Sequence, residues 1–293
     1  MTSDTQSREV SRRTEKFSRK AQGRSQSKSI PWAKYGLIMV GLSFLAFVVL
    51  IPLGNIFYQA FLEGINAYWQ GIWTPEGIHA ISLTLITVAV TVPLNTLFGI
   101  LTAWVLARQR FPGKPLLTGI LDLPLTISPV IVGLMFILLF STTEGLFKEI
   151  VLALNVNIVF ALPGIILSAT FITLPYVARE VLPALQTLGL EQEEAAHTLG
   201  ASPWQTFWRV VLPNIRWAVL YGVILCTARA VGEFGAVSVV SGRVIGATNT
   251  LTLHVEQLYM SYLTVAAFAC ATLLTLVAVI TLIAQELLRG RSK

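Results

Sequence analysis

The sequence predicts an all-α membrane protein of six transmembrane helices with both termini on the cytoplasmic side. Three observations carry that expectation. The 293-residue chain is 54% apolar and 12% charged, with a mean hydropathy of +0.70. Soluble globular domains carry ~25% charged residues, about twice as many. The apolar residues gather in six stretches long enough to cross a bilayer, whose ~30 Å core needs ~20 of them per helix. Lys and Arg fall almost wholly on one side of those stretches.

The first element is a basic tail. Residues 1–34 hold nine Lys/Arg against Asp4, Glu9 and Glu15, so the whole net charge of +6 resides there and the rest of the chain balances. Such a cytoplasmic segment suits anionic lipid headgroups. Nucleic-acid binding would need a basic folded face, which a neutral remainder does not offer. The tail is also Ser/Arg-rich and poor in acids, as organellar transit peptides are. A bacterial plasma membrane is therefore the first expectation and a chloroplast envelope the second.

The spans follow. A first transmembrane helix, 35–57 within a segment 35–58, is longer than the ~7–15-residue apolar run of a cleaved signal, and no small-residue cleavage site follows. It reads as a retained anchor. Stretches at 81–107, 117–140, 158–177, 217–240 and 262–283 complete the six, inside a core of residues 79–286. Outside the spans, eighteen Lys/Arg fall on one side, whereas the other has Lys148 and Arg243. That bias places both termini in the cytoplasm, which requires an even number of spans. Tyr68, Trp69 and Trp73 in the first outer loop fit interface anchoring or ordinary loop packing. Pro93, Pro124, Pro129, Pro163 and Pro175 lie in or beside spans, so kinks around a cavity are expected. Cys226 and Cys270 lie in apolar stretches and read as small core residues. The three histidines show no metal-ligand spacing.

Between spans four and five the cytoplasmic loop 179–216 is too long to be a mere connection. Glu191, Glu193 and Glu194 crowd the start of a helical run, where negative charge meets the positive end of the helix dipole. Gly200 sits where a left-handed cap would end it. Ser202-Pro203-Trp204-Gln205 then spells a capping box with proline at the first helical position. Trp204, Phe207, Trp208 and Val211 share one apolar face, and Pro213 is expected to end the run. By periodicity alone, this helix–turn–helix is either a rigid cytoplasmic projection or a hairpin lying on the headgroups.

Glu194-Ala195-Ala196, Gly200 after three residues, Val210 after nine more, and Leu212-Pro213 resemble the EAA signature of membrane subunits of ATP-binding-cassette (ABC) importers. Only the signature's Ile differs, being Val210 here. The resemblance implies a type I ABC importer permease fold and a coupling helix that docks on a separate ATPase, with Glu191, Glu194, Ala195, Ala196, Gly200, Leu212 and Pro213 in the coupling region. Residues 214–246 and 174–183 look like the sulfate/thiosulfate branch of that family, in its W-type permeases. By resemblance the partners are two copies of an ABC ATPase, a second related permease and an external sulfate-binding protein. ATP and magnesium would sit on the ATPase, and this chain would hold no cofactor.

Arg229 and Glu233, four residues apart near the middle of span five, are expected on one helix face. A charge at mid-bilayer costs ~2.5–3.5 kcal/mol, so the two should pair, either bracing the bundle or presenting Arg229 to a permeating anion with Glu233 moderating it. Asp122 reads as a helix-end contact. A dianion entering a negative-inside cell climbs ~4.6 kcal/mol per 100 mV, so accumulation needs an energy source. The chain has no G-x-x-x-x-G-K-[ST] phosphate loop: Gly113-Lys114 is followed by Pro115 and preceded by Arg108 where the first glycine belongs. ATP hydrolysis therefore belongs to another polypeptide, and this chain is not an enzyme. The remaining alternatives are a permease for molybdate, tungstate or phosphate, and a stand-alone secondary anion transporter.

Overall fold

The computed structural model describes residues 31–289. Most of the basic tail therefore lies outside the described residues. Two units divide the chain, with the boundary between Asn55 and Ile56. Helix α1 (Pro31–Ala60) begins in the first and tolerates Pro52 in its interior; its 30 residues span about 45 Å.

The regular elements described in the second unit are all helical: α2 (Ile65–Ile72), α3 (Pro75–Arg108), α4 (Lys114–Thr126), α5 (Pro129–Phe140), α6 (Lys148–Ala153), α7 (Leu162–Leu188), α8 (Glu191–Thr198), α9 (Pro203–Thr206), a π-helical turn (Phe207–Val211), α10 (Leu212–Val231), α11 (Gly235–Val240), α12 (Leu251–Met260) and α13 (Thr264–Arg289). Over the whole described chain, five helical stretches are long and apolar enough to cross a membrane, and six if the bent pair α4–α5 counts as one span.

That pair corrects the first expectation. The span read as continuous over 117–140 is two helices meeting at 110°. Proline disfavours helical geometry in the residue before it. Ile127 (φ −87°, ψ 139°) and Ser128 (φ −59°, ψ 132°), ahead of Pro129, are both extended. Span four is longer than expected, because α7 runs past residue 177 to Leu188 and carries Pro175 and Pro183 inside it. Buried Val181 and Leu185 explain the extension, since they pack on Ala103 and Ile215 and make further helix worth keeping. Arg179, expected in the loop, is thus a helical residue. Span five ends earlier than expected: α10 stops at Val231 and α11 is a separate turn.

The centre of the bundle is a junction of α3, α7 and α10. A Cβ on Gly99 would lie 2.8 Å from Val177 Cβ, and one on Gly222 would lie 2.9 Å from Val177 Cα. Glycine at both positions lets three backbones converge, as small residues do in membrane bundles. A polar seam runs beside the junction. Asn95 Nδ2 donates to Thr173 Oγ1 at 2.7 Å and to the Thr170 carbonyl at 3.1 Å. Thr84, Thr87 and Thr173 return their hydroxyl protons to carbonyls one turn back in their own helices. Elsewhere, Tyr68 Oη and Thr272 Oγ1 share a hydrogen bond at 2.9 Å between α2 and α13.

Candidate coupling and translocation sites

The first site is the segment after α7. Helix α8 begins with three glutamates and ends in a full Schellman motif. Gly200 takes φ +85°, its N–H donates to the His197 carbonyl at 2.9 Å, and the Ala201 N–H reaches the Ala196 carbonyl at 3.0 Å. The capping box is closed on both sides: Gln205 N–H donates to Ser202 Oγ at 3.3 Å, and Ser202 N–H to Gln205 Oε1 at 3.0 Å. These two ends make a stiff turn between two helices.

Pro213 does not end the second helix, contrary to expectation. The chain inserts a π turn at Phe207–Val211, with the Leu212 N–H donating to the Phe207 carbonyl, and helix continues into α10. A proline ring clashes with the carbonyl four residues back, and widening the turn just before it relieves that contact. The expected apolar face is accordingly only partly buried. Val211 is buried and Phe207 half-buried, while Trp204 and Trp208 are exposed.

What fastens α8 to the bundle is a residue the sequence reading passed over. Arg108, the last residue of α3, donates Nε to Glu193 Oε1 at 2.8 Å and Nη1 to the Leu185 carbonyl at 3.0 Å, while its Nη2 lies 2.6 Å from the same carboxylate oxygen as an ion-pair contact without a hydrogen bond of its own. Both side chains are buried, 8% and 11% exposed. Gln192 Oε1 accepts from Asn214 Nδ2 at 2.8 Å, which ties α8 to α10 as well. Glu191, Glu194, Ala195 and Gly200 are exposed, Ala196 and Leu212 half-buried, and Pro213 exposed. The glutamate run therefore divides: Glu193 faces in as the anchor, and Glu191 and Glu194 face out. Nothing in three near-adjacent glutamates marks which is buried; the one usable signal was an arginine closing the second span.

The second site lies at the end of α10. Arg229 Nη1 and Glu233 Oε2 form an ion pair at 2.5 Å, with side chains 29% and 1% exposed. The pairing matches expectation, but the shared helix face does not. Glu233 lies beyond the helix end, in the break between α10 and α11. There its Oε1 accepts the Ala236 N–H at 3.0 Å, and its carbonyl accepts Thr252 Oγ1 at 2.8 Å. The break thus gives Glu233 contacts to three elements. Thr84, Thr87, Thr250 and Glu233 line a cavity of about 10 Å³, the size that admits one water. Asp122 does make an inter-helix contact, its Oδ1 accepting Arg179 Nε at 2.9 Å. No group of three His, Cys, Asp or Glu among the described residues could hold a metal ion.

A chain with this bundle and an exposed knuckle beyond its fourth span has the form of a transporter's membrane subunit. Residues 95–293 match the family of binding-protein-dependent transport system inner membrane components, and the chain belongs to that family. It is 50% identical over 259 residues, 88% of this chain and 94% of the relative, to the sulfate transport system permease protein CysW of Synechocystis sp.. It is 52% identical over 251 residues to the chloroplastic sulfate permease 2 of Chlamydomonas reinhardtii, covering 86% of this chain and 68% of the relative. It is 34% identical over 250 residues to the sulfate permease protein CysT of Escherichia coli, covering 85% and 90%. Among solved structures, a bacterial alginate ABC transporter in complex with a pentasaccharide-bound periplasmic protein shares the fold, with TM-score 0.74, 18% identity and coverage of 89% and 96%.

Proposed function

We propose that this chain is one membrane-spanning half of an ATP-driven importer for sulfate and thiosulfate. The observation that carries the reading is the anchored knuckle: a stiff, exposed helix–turn–helix clamped to α3 and α7 by the buried Arg108–Glu193 pair. An exposed element fixed to three bundle helices transmits displacement instead of absorbing it. The exposed Glu191, Glu194, Ala195 and Gly200 form the docking face for an ATPase that supplies the hydrolysis, and the small alanines permit close approach. The knuckle and both termini face the cytoplasm. The second permease is a CysT-like relative, and an external sulfate-binding protein delivers the ion. The membrane is a bacterial inner membrane, with the chloroplast envelope as the alternative setting.

Arg229 supports the anion reading. Its guanidinium uses one nitrogen for Glu233 and is 29% exposed beside the break in α10. A charge facing the lipid interior is disfavoured, whereas a water-filled path between subunits accommodates it.

The test is uptake of labelled sulfate by cells lacking their own permease and supplied with this chain and its co-purifying subunits. Uptake should need ATP and be competed by thiosulfate. Stronger competition by molybdate, tungstate or phosphate would move the substrate assignment. Uptake by this chain alone would replace the importer with a secondary transporter. Arg229→Ala, inserted normally in the membrane, should abolish uptake; unchanged uptake would reduce the pair to a brace.

A further inference from the structure

We propose that Arg243 and the cavity beside it form an outer holding site for the transported oxyanion, one step ahead of Arg229. This deepens the function proposed above and rests on it.

Arg243 lies in the connection between α11 and α12, which turns through left-handed backbone. Gly242 and Gly246 take φ +69° and +73°, and Arg243 itself takes φ +55°. A β-substituted residue rarely adopts that conformation, and where it does the surroundings impose it. Here the Arg243 N–H donates to Ser241 Oγ at 3.1 Å. Thr248 Oγ1 donates to the Ser241 carbonyl at 2.6 Å and accepts the Val244 N–H at 3.1 Å. The loop is therefore pinned with its arginine on display.

The side chain is aimed but not consumed. Nε donates to the Ser238 carbonyl at 3.1 Å and Nη1 to Glu256 Oε2 at 2.9 Å, while Nη2 has no partner among the described residues. Arg108 is the contrast in setting: its side chain is closed in against its partners, 8% exposed, whereas the Arg243 side chain is 49% exposed. Arg243 borders a cavity of about 450 Å³ that Ile245, Asn249, Glu256, Gln257 and Met260 help to line.

The two arginine–carboxylate pairs are neighbours through α12. Thr252 holds the Glu233 carbonyl, and Glu256 follows one turn later on the same face, about 6 Å along the axis. An anion leaving Arg243 thus has Arg229 as its next fork of donors. Tetrahedral oxyanions match a guanidinium's paired N–H groups. Glu256 competes for the same guanidinium: the arriving anion displaces it, and its return releases the anion inward. Weak, successive holding is what conduction requires.

The experiment reads the local potential. Ile245→Cys is introduced into the full chain, which is purified with its accompanying subunits and placed in nanodiscs. It is then modified with an anionic sulfonatoethyl or a cationic trimethylammonioethyl methanethiosulfonate. Cys226 and Cys270 are buried, and the parental chain gives their background. The anionic reagent should react several-fold faster. Arg243→Gln should abolish that preference, Glu256→Gln should increase it, and millimolar sulfate, unlike chloride, should slow the reaction. Equal rates, a preference that survives Arg243→Gln, or indifference to sulfate would each overturn the proposal. If Ile245→Cys is unreactive, Met260→Cys repeats the measurement across the cavity, and silence at both overturns it. Labelling needs neither ATP nor uptake. Its failure would leave the importer standing, and loss of uptake with the preference intact would strike the importer instead.

Discussion

At the scale of single residues, charge burial separates anchors from working groups. Arg108 and Glu193 are desolvated against one another, so removing one partner strands the other; breaking such a pair costs ~3–5 kcal/mol. Glu193→Ala should therefore lower the melting temperature of the purified chain sharply, while exposed Glu191→Ala changes its stability by no more than ~0.5 kcal/mol. Equal effects at the two positions would remove the anchor. His254 is a second buried group, 3% exposed, with neither ring nitrogen partnered among the described residues. Burial pushes its imidazole below the ordinary range, and the Glu76 carboxylate opposes this more weakly. The folded state therefore prefers neutral His254, and its contribution is complete above the unfolded value of ~6.5 and lost as pH falls below it. Thermal unfolding followed from pH 8 downward should show a destabilising step beginning near ~6.5, absent in His254→Leu.

At the scale of elements, turns and breaks carry the behaviour. Gly200 at φ +85° ends α8 and aims the next helix. A β-branched residue there faces a left-handed penalty of ~1–2 kcal/mol and would shift the turn instead of bearing the strain. Gly200→Val should leave the chain in the membrane but separate ATP consumption from sulfate uptake, measured as the ratio of the two in proteoliposomes. An unchanged ratio would mean the knuckle's geometry does not transmit work. The two ends of this element were legible beforehand because each is a local rule: glycine after a helix, and Ser-x-x-Gln before one. The π turn at Phe207–Val211 was not legible. A proline reads as a stop unless the chain widens the turn ahead of it, and that choice depends on whether Val211 and Ile215 find a core to enter, as they do.

At the scale of the whole molecule, one close approach organises the bundle. Gly99 and Gly222 both press on Val177. Gly99→Leu cannot be absorbed by a flexible neighbour, because the atoms it meets belong to Val177 and the Ala178 backbone. Overpacking of this kind costs ~1–3 kcal/mol or more, so the variant should melt earlier and lose uptake. Gly119→Leu, where nothing lies within 4 Å, is the control and should be tolerated.

Hydropathy was enough to find the apolar stretches, five as single helices and a sixth as the bent pair α4–α5, since it depends only on what a residue prefers as solvent. Local hydrogen-bonding rules likewise foretold the capped turn at Gly200, and the cost of a lone charge in the bilayer foretold the pairing of Arg229 with Glu233. The 110° break before Pro129, the end of α10 short of Glu233, the division of the glutamates into one buried anchor and two exposed neighbours, and the meeting of Arg243 with Glu256 belong to the tertiary structure. Each of these depends on which distant backbone arrives alongside, and residues far apart in sequence exert no force on one another until packing has brought them within a few ångströms.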